Sequence, residues 1–218
     1  MKRLAILGAL GAAALLTACA EGFNYDTTPL QQKPYKEGTK SIVFVVDTSG
    51  SMDDKLDGVR KIDSAKRAMN NMLEYCKTHD DKHNDLEAGL VRFRYSTPET
   101  VIPLEDFNYN SMVSEVQNLI ANSNTPLGRS LAVAERDLDS HATGRKYVVL
   151  LTDGMNNSGR EPDEVFRSIQ ETNAREGDFP TQLYVVAFDT DRENFAPLQS
   201  LGATIFGANQ EEELTKVL

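Results

Sequence analysis

The chain has 218 residues and carries 23 Lys and Arg against 33 Asp and Glu, a formal net charge of −10 at pH 7. That acidity excludes a general nucleic-acid binder, which needs a basic face, and argues against electrostatic docking on anionic lipid. There is no Trp, and 7% aromatic content offers no stacking platform for bases, while the length suits one domain with a sizeable core.

The amino terminus reads as a targeting segment. Met1-Lys2-Arg3 is a short basic start, and residues 4–16 form an apolar run too short to span a bilayer comfortably. The run closes on Leu16-Thr17-Ala18-Cys19, which resembles a bacterial lipoprotein signal. The resemblance implies cleavage before Cys19 and a lipid on Cys19, so that residues 1–18 are a signal peptide. Loss of Lys2 and Arg3 with it lowers the net charge by two, to −12. Ala20 follows the cysteine where an aspartate would retain the protein at the inner membrane of a diderm bacterium; outer-membrane sorting is implied. Residues 20–39 are rich in Gly, Pro, Gln, Thr and charge and lack periodicity. With Cys19 they read as a lipidated, flexible tether, residues 19–39, about 65 Å long when stretched and about 25 Å as coil. The expected location is the bacterial cell envelope, lipid-anchored. Cys76 is the one other cysteine, so with Cys19 lipidated no disulfide can form within the chain.

Residues 40–218 read as one domain. Residues 42–46 are an unbroken apolar, β-branched run, the pattern of a strand buried on both faces of a parallel sheet. Leu56, Val59, Ile62, Ala65, Met69, Met72, Leu73 and Cys76 follow at helical spacing, which predicts a buried thiol at Cys76. Residues 87–95 and 100–104 are strands joined by Ser96-Thr97-Pro98-Glu99, an antiparallel hairpin at one sheet edge. Val113, Val116, Leu119 and Ile120 mark a helix, and Leu127, Leu131, Ala134 and Leu138 another. A strand over 146–152, a helix over 162–176 stopped by Gly177, and a strand over 182–188 come next. A short strand at 204–206 and a helix over 211–218 close the chain. Strands alternating with helices predict an α/β doubly wound, mostly parallel sheet with one antiparallel edge strand.

The apolar run at 42–46 ends in Asp47-Thr48-Ser49-Gly50-Ser51-Met52, a carboxylate and two hydroxyls at alternate positions. The strand at 146–152 ends in Asp153, and Thr125 stands in a loop just before a helix. Open parallel sheets bind ligands beyond the carboxyl ends of their strands, where strand order reverses. If the strands carrying Asp47 and Asp153 are neighbours there, Asp47, Ser49, Ser51, Thr125 and Asp153 converge. Such hard oxygens suit Mg²⁺, with Mn²⁺ or Ca²⁺ as alternatives, and not Zn²⁺ or copper. Singly, each residue has an ordinary reading as a turn or helix cap.

This constellation resembles the von Willebrand factor A family, which includes the integrin inserted domains. The family's metal-ion-dependent adhesion site has the pattern D-x-S-x-S, then a distant T, then a distant D, matched here at all five positions. The resemblance covers about residues 40–218. It implies that Ser49, Ser51 and often Thr125 touch the metal directly, with Asp47 and Asp153 acting mostly through water. A metal held by hydroxyls keeps its charge and an exchangeable position, so the implied partner is a protein that offers an Asp or Glu. Asp189 and Asp191 read as solvated loop carboxylates, and Met155, Asn156 and Asn157 as rim residues. No lysine has an evident place in the site, and His79, His83 and His141 fall at the far end of the helices.

A metal-dependent binding module is therefore the expected function, and not an enzyme. The alternatives are a Mg²⁺-dependent hydrolase or phosphotransferase, and a structural lipoprotein with a purely stabilising metal. Against the first, position 49 is serine, so the Asp-x-Asp of aspartate-nucleophile phosphatases is missing there, and the sequence has neither a P-loop nor Gly-x-Gly-x-x-Gly.

Overall fold

The computed structural model describes residues 35–80 and 85–210, together with Glu212, Glu213 and Lys216, which are helical. The expected signal peptide, Cys19, residues 20–34 of the tether and most of the expected last helix lie outside the described residues.

Near-continuous burial of the apolar strands organises the chain around a central sheet. Strand β1 (Lys40–Val46) leads through a 3-10 turn at Gly50–Asp53 into a two-stranded ribbon, β2 (Lys55–Leu56) and β3 (Val59–Arg60). Helix α1 (Lys61–Asp80), the hairpin β4 (Leu86–Arg94) and β5 (Thr97–Asp106), and helices α2 (Tyr109–Gln117) and α3 (Leu127–His141) follow. Then come β6 (Arg145–Thr152), α4 (Pro162–Glu176), β7 (Gln182–Phe188), the short α5 (Ala196–Ser200) and β8 (Thr204–Ala208). The six long strands lie in the order β5-β4-β1-β6-β7-β8, and every pairing but β4–β5 is parallel. This is the expected doubly wound sheet with its antiparallel edge.

Both faces are covered, as the unbroken apolar runs require. Val43, Val45, Val148, Leu150 and Val185 face α3 and α4 through Leu131, Ala134, Leu138, Phe166 and Ile169. Phe44, Val46, Leu151, Val186 and Phe188 form the other layer with Ile62, Ala65, Met69 and Leu73 of α1 and Met112 and Val116 of α2. Truncating one such side chain costs about 2–5 kcal/mol through lost burial and the void left behind. Helix α4 stops at Gly177, whose φ of 68° is the left-handed conformation, and Asp178 N–H closes onto Asn173 O at 2.9 Å.

The lower ends of the strands carry a buried ionic network. Lys146 lies 2.6 Å from Asp139, 2.5 Å from Asp178 and 3.5 Å from Glu135. Asn173 and Thr181 donate hydrogen bonds to Glu135, whose pKa burial pushes up to about 7 although Lys146 opposes it. His141, at the end of α3, reaches Asp137 at 2.9 Å, as expected far from the upper strand ends.

Four details differ from the expectations. Leu56 and Val59 belong to the β2–β3 ribbon and not to α1, because Asp57 and Gly58 both take positive φ, 52° and 84°, and turn the chain back. Helix α2 ends at Gln117, which leaves Ile120 exposed. Cys76 is half-buried in α1 and not in the core. The edge strand β5 is longer than expected and contains Pro98 and Pro103, which an edge position tolerates because one side of the strand has no ladder to feed.

Candidate metal centre

Strand order reverses between β1 and β6, so the carboxyl ends of these two strands open the crevice of the sheet. Asp47 directly follows β1, and its N–H bonds Leu151 O of β6 at 2.8 Å. Asp153 directly follows β6. The two carboxylates therefore stand side by side at the crest, as the strand-end reading requires.

Asp47 is fully buried, and both of its oxygens are engaged. Ser49 N–H donates to Oδ1 at 2.7 Å, and Thr152 Oγ donates to Oδ2 at 2.6 Å. Burial pushes its pKa from 3.8 up to about 6; hydrogen bonds from Ser49 and Thr152 pull it down, and neighbouring Asp153 pushes it further up. A nearby cation would relieve this penalty.

The hydroxyls continue the chain of oxygens. Ser49 Oγ lies 3.0 Å from Ser51 Oγ, and Ser51 Oγ donates to Asp153 Oδ1 at 2.8 Å. Four of the five expected residues thus form one connected cluster across the switch point. Thr125 joins it through the backbone of its loop. Ser49 forms a parallel bridge with Ser123, and Gly50 N–H bonds Ser123 O at 2.9 Å. On the other side, Asn157 accepts from Thr125 N–H at 2.8 Å, and Asn157 N–H donates to Thr125 O at 3.0 Å. Thr125 is buried between the loop that follows β1 and the loop that follows β6.

These loops are fixed by local chemistry. The Thr48 hydroxyl accepts from Phe93 N–H and donates to Phe93 O, which fastens the first loop to β4. Ser123 Oγ donates to Tyr95 O in the β4–β5 turn. Gly128 allows α3 to start against the loop after β6, since a Cβ there would come within 2.1 Å of Arg160 O.

Two expectations are corrected. Lys61, the first residue of α1, has a place in the site: its Nζ lies 3.0 Å from Asp153 Oδ2. Asp189 is not merely a solvated loop carboxylate, because its Oδ2 lies 2.7 Å from the same Nζ. Burial works to lower the Lys61 pKa, but the Asp189 and Asp153 carboxylates outweigh it and raise the pKa above the usual lysine value. The Asp-Gly turn of the β2–β3 ribbon was the sequence signal that could have placed Lys61; Asp191 is exposed, as expected. Among the described residues, no group of three or more His, Cys, Asp or Glu is gathered as metal ligands; the donors at the crest are chiefly hydroxyls.

The fold and the cluster define an α/β domain with oxygen donors at its switch point. The chain belongs to the von Willebrand factor type A domain family, whose model matches residues 41–215. It is 24% identical over 190 residues to the uncharacterized protein YwmC of Bacillus subtilis (strain 168), a match that covers 81% of this chain and 80% of YwmC. Among solved structures, it resembles the pilus adhesin SpaC from Lactobacillus rhamnosus GG with a TM-score of 0.63 and 14% identity, over 84% of this chain and 30% of SpaC. It also resembles the vWF domain of the type V pili tip protein Mfa5 from Porphyromonas gingivalis, with a TM-score of 0.63 and 10% identity, over 82% of this chain and 93% of that one. At these identities the structural likeness shows the fold.

Proposed function

We propose that this chain is a divalent-cation-dependent protein-binding module of the bacterial envelope. The observation that carries the reading is the unbroken run of oxygens from Ser49 through Ser51 to Asp153, spanning the two strand ends at the switch point. The residues fit Mg²⁺: three hydroxyls and two carboxylates are hard donors, and a cation would offset the burial that pushes the pKa of Asp47 up to about 6. Ser49, Ser51 and Thr125 would hold the ion, with Asp47 and Asp153 acting through water. So held, Mg²⁺ supplies a positive charge and an exchangeable position that a partner's Asp or Glu can fill.

The rest of the crest supports docking. Tyr95 and Met155 are exposed large side chains on either side of the Thr125 loop. Amphipathic and flexible apolar anchors of this kind carry much of the energy of interfaces. SpaC is a pilus adhesin and Mfa5 a pili tip protein. With the lipoprotein-like leader and Cys19, these likenesses support a lipid-anchored adhesion or scaffold role, with the lipid as the membrane contact.

The hydrolase reading is weaker. Lys61 supplies a cation near the site, but its Nζ is engaged by two carboxylates and its side chain is 10% exposed. It is not placed to reach a phosphoryl group.

The test is a pull-down from envelope extract, run in Mg²⁺ and in EDTA, beside calorimetric titration with Mg²⁺. The reading expects capture in Mg²⁺ only, and loss of both capture and Mg²⁺ binding in Ser49→Ala with the fold intact. Capture that survives EDTA would overturn it. Mg²⁺ binding that raises the melting temperature while no partner needs the ion would favour a purely stabilising metal.

A further inference from the structure

We infer that Lys61 is a built-in counter-cation that sets how strongly the crest holds a divalent metal, with Asp189 as its regulator; this rests on the metal reading above. The Lys61 side chain is only 10% exposed, and such burial of a charged residue is tolerated only where the charge is paired. It also stands at the first position of α1, the end of a helix where a cation is disfavoured by the macrodipole. Helix stability does not account for this placement.

The chain builds the position deliberately. The β2–β3 ribbon turns the backbone at Asp57 and Gly58, and Lys61 N–H bonds Asp54 O at 2.9 Å. The start of α1 is thereby fixed beside the strand ends. Asp153, whose side chain is wholly buried, then gives Oδ1 to Ser51 and Oδ2 to Lys61. Only its Oδ1 side faces the hydroxyl cluster, and its negative charge is shared with Lys61 before any metal arrives.

Asp189 moderates that sharing. It follows β7 with φ of 51°, a left-handed conformation that few residues other than Gly, Asn and Asp take readily, and its N–H bonds Ala208 O at 2.8 Å. The carboxylate so aimed meets Lys61 Nζ at 2.7 Å, closer than Asp153 does, and is 36% exposed. Lys61 is a positioning residue: it acts through the carboxylate that the metal needs. Its effect is to keep affinity for the bare ion low, so that tight metal binding requires the partner's carboxylate. Metal and partner then bind with positive coupling, each strengthening the other.

The two carboxylate partners of Lys61 give predictions of opposite sign. Mn²⁺ and Mg²⁺ titrations would be run by calorimetry on the full chain and on Lys61→Met, Lys61→Gln, Lys61→Arg and Asp189→Asn. Removing the lysine charge tightens metal binding about tenfold in both Met and Gln variants, the effect of losing one nearby repulsive charge. Lys61→Arg stays within about threefold of wild type, since the charge is kept. Asp189→Asn, which tolerates the same backbone conformation, weakens binding several-fold because the whole ammonium turns onto Asp153. A simple brace would make the lysine and Asp189 variants weaken together, and that result overturns the inference. Melting curves in EDTA confirm that each variant is folded; the Gln variant replaces Met if Met alone fails. If wild type and both neutral variants bind no metal, the metal reading falls and takes this inference with it. If wild type binds but neither neutral variant binds more tightly, only the Lys61 inference falls.

Discussion

Thr152 Oγ donates to Asp47 Oδ2 at 2.6 Å, so the last residue of β6 holds the carboxylate that ends β1. This bond crosses the switch point, and it orients a buried acid whose other oxygen is already held by its own loop. Thr152→Val preserves shape and removes the donor. Chemical denaturation should show a loss of about 1.5–3 kcal/mol, the range for a hydrogen bond to a charged group. Mg²⁺ affinity should fall in parallel, because Asp47 is no longer oriented. An unchanged titration would mean that the backbone alone positions Asp47.

The raised pKa of Asp47 predicts a pH signature. Between its ordinary 3.8 and about 6, the folded protein holds a proton that the unfolded chain has released. In EDTA this contribution is fully present below pH 3.8 and is lost as the pH rises through 6, about 3 kcal/mol in all. Asp47→Asn should abolish that component, so the difference between the wild-type and variant melting temperatures should change with pH across this interval. Stabilisation by Mg²⁺, which needs the ionised acid, should grow over the same range. Parallel curves for the two proteins would assign the effect elsewhere.

At the opposite end of the sheet, Lys146 is the cation shared by Glu135, Asp139 and Asp178. Lys146→Met leaves buried acids without it and should destabilise the domain by about 3–5 kcal/mol, measured by urea unfolding. Metal affinity per folded molecule should not change, since this network lies at the far ends of the strands. A change there would indicate coupling through β6.

Gly128 supplies a test of how the loops are assembled. Gly128→Ala places a methyl group where Arg160 O stands, and backbone yields less readily than a side chain. A loss of about 1–3 kcal/mol is expected, together with weaker Mg²⁺ binding as the Thr125 loop moves from the loop after β6. Full retention of both stability and binding would show that the two loops move independently.

Much of the architecture was legible because it follows from burial alone. The apolar runs that became β1, β6 and β7 have no polar alternation, and only a strand covered on both faces reads that way. Helix α4 was bounded by Pro162 and Gly177, whose backbone preferences are local. The order of Asp47, Ser49, Ser51, Thr125 and Asp153 was visible for a related reason: strand ends and helix starts can be found before any tertiary contact is known. Lys61 was not visible. A lysine at a helix start reads as solvated, and its pairing depends on β7 lying beside β6 and on the ribbon that sets the start of α1. Asp189 was misjudged because its neighbours in sequence are not its neighbours in space. Leu56 and Val59 matched a helical period by coincidence, while the Asp-Gly pair between them carried the stronger signal. Ile120 shows the limit of periodicity: it fitted the stripe, but the helix had already ended.

The prolines of β5 bear on how copies of this domain behave when crowded. An outermost strand invites a neighbour to anneal along it; Pro98 and Pro103 leave β5 two amide donors short and make it an irregular template, while Glu105 and Asp106 add like-charge repulsion at the tip. That margin of the sheet therefore resists zippering into ribbons at high local density.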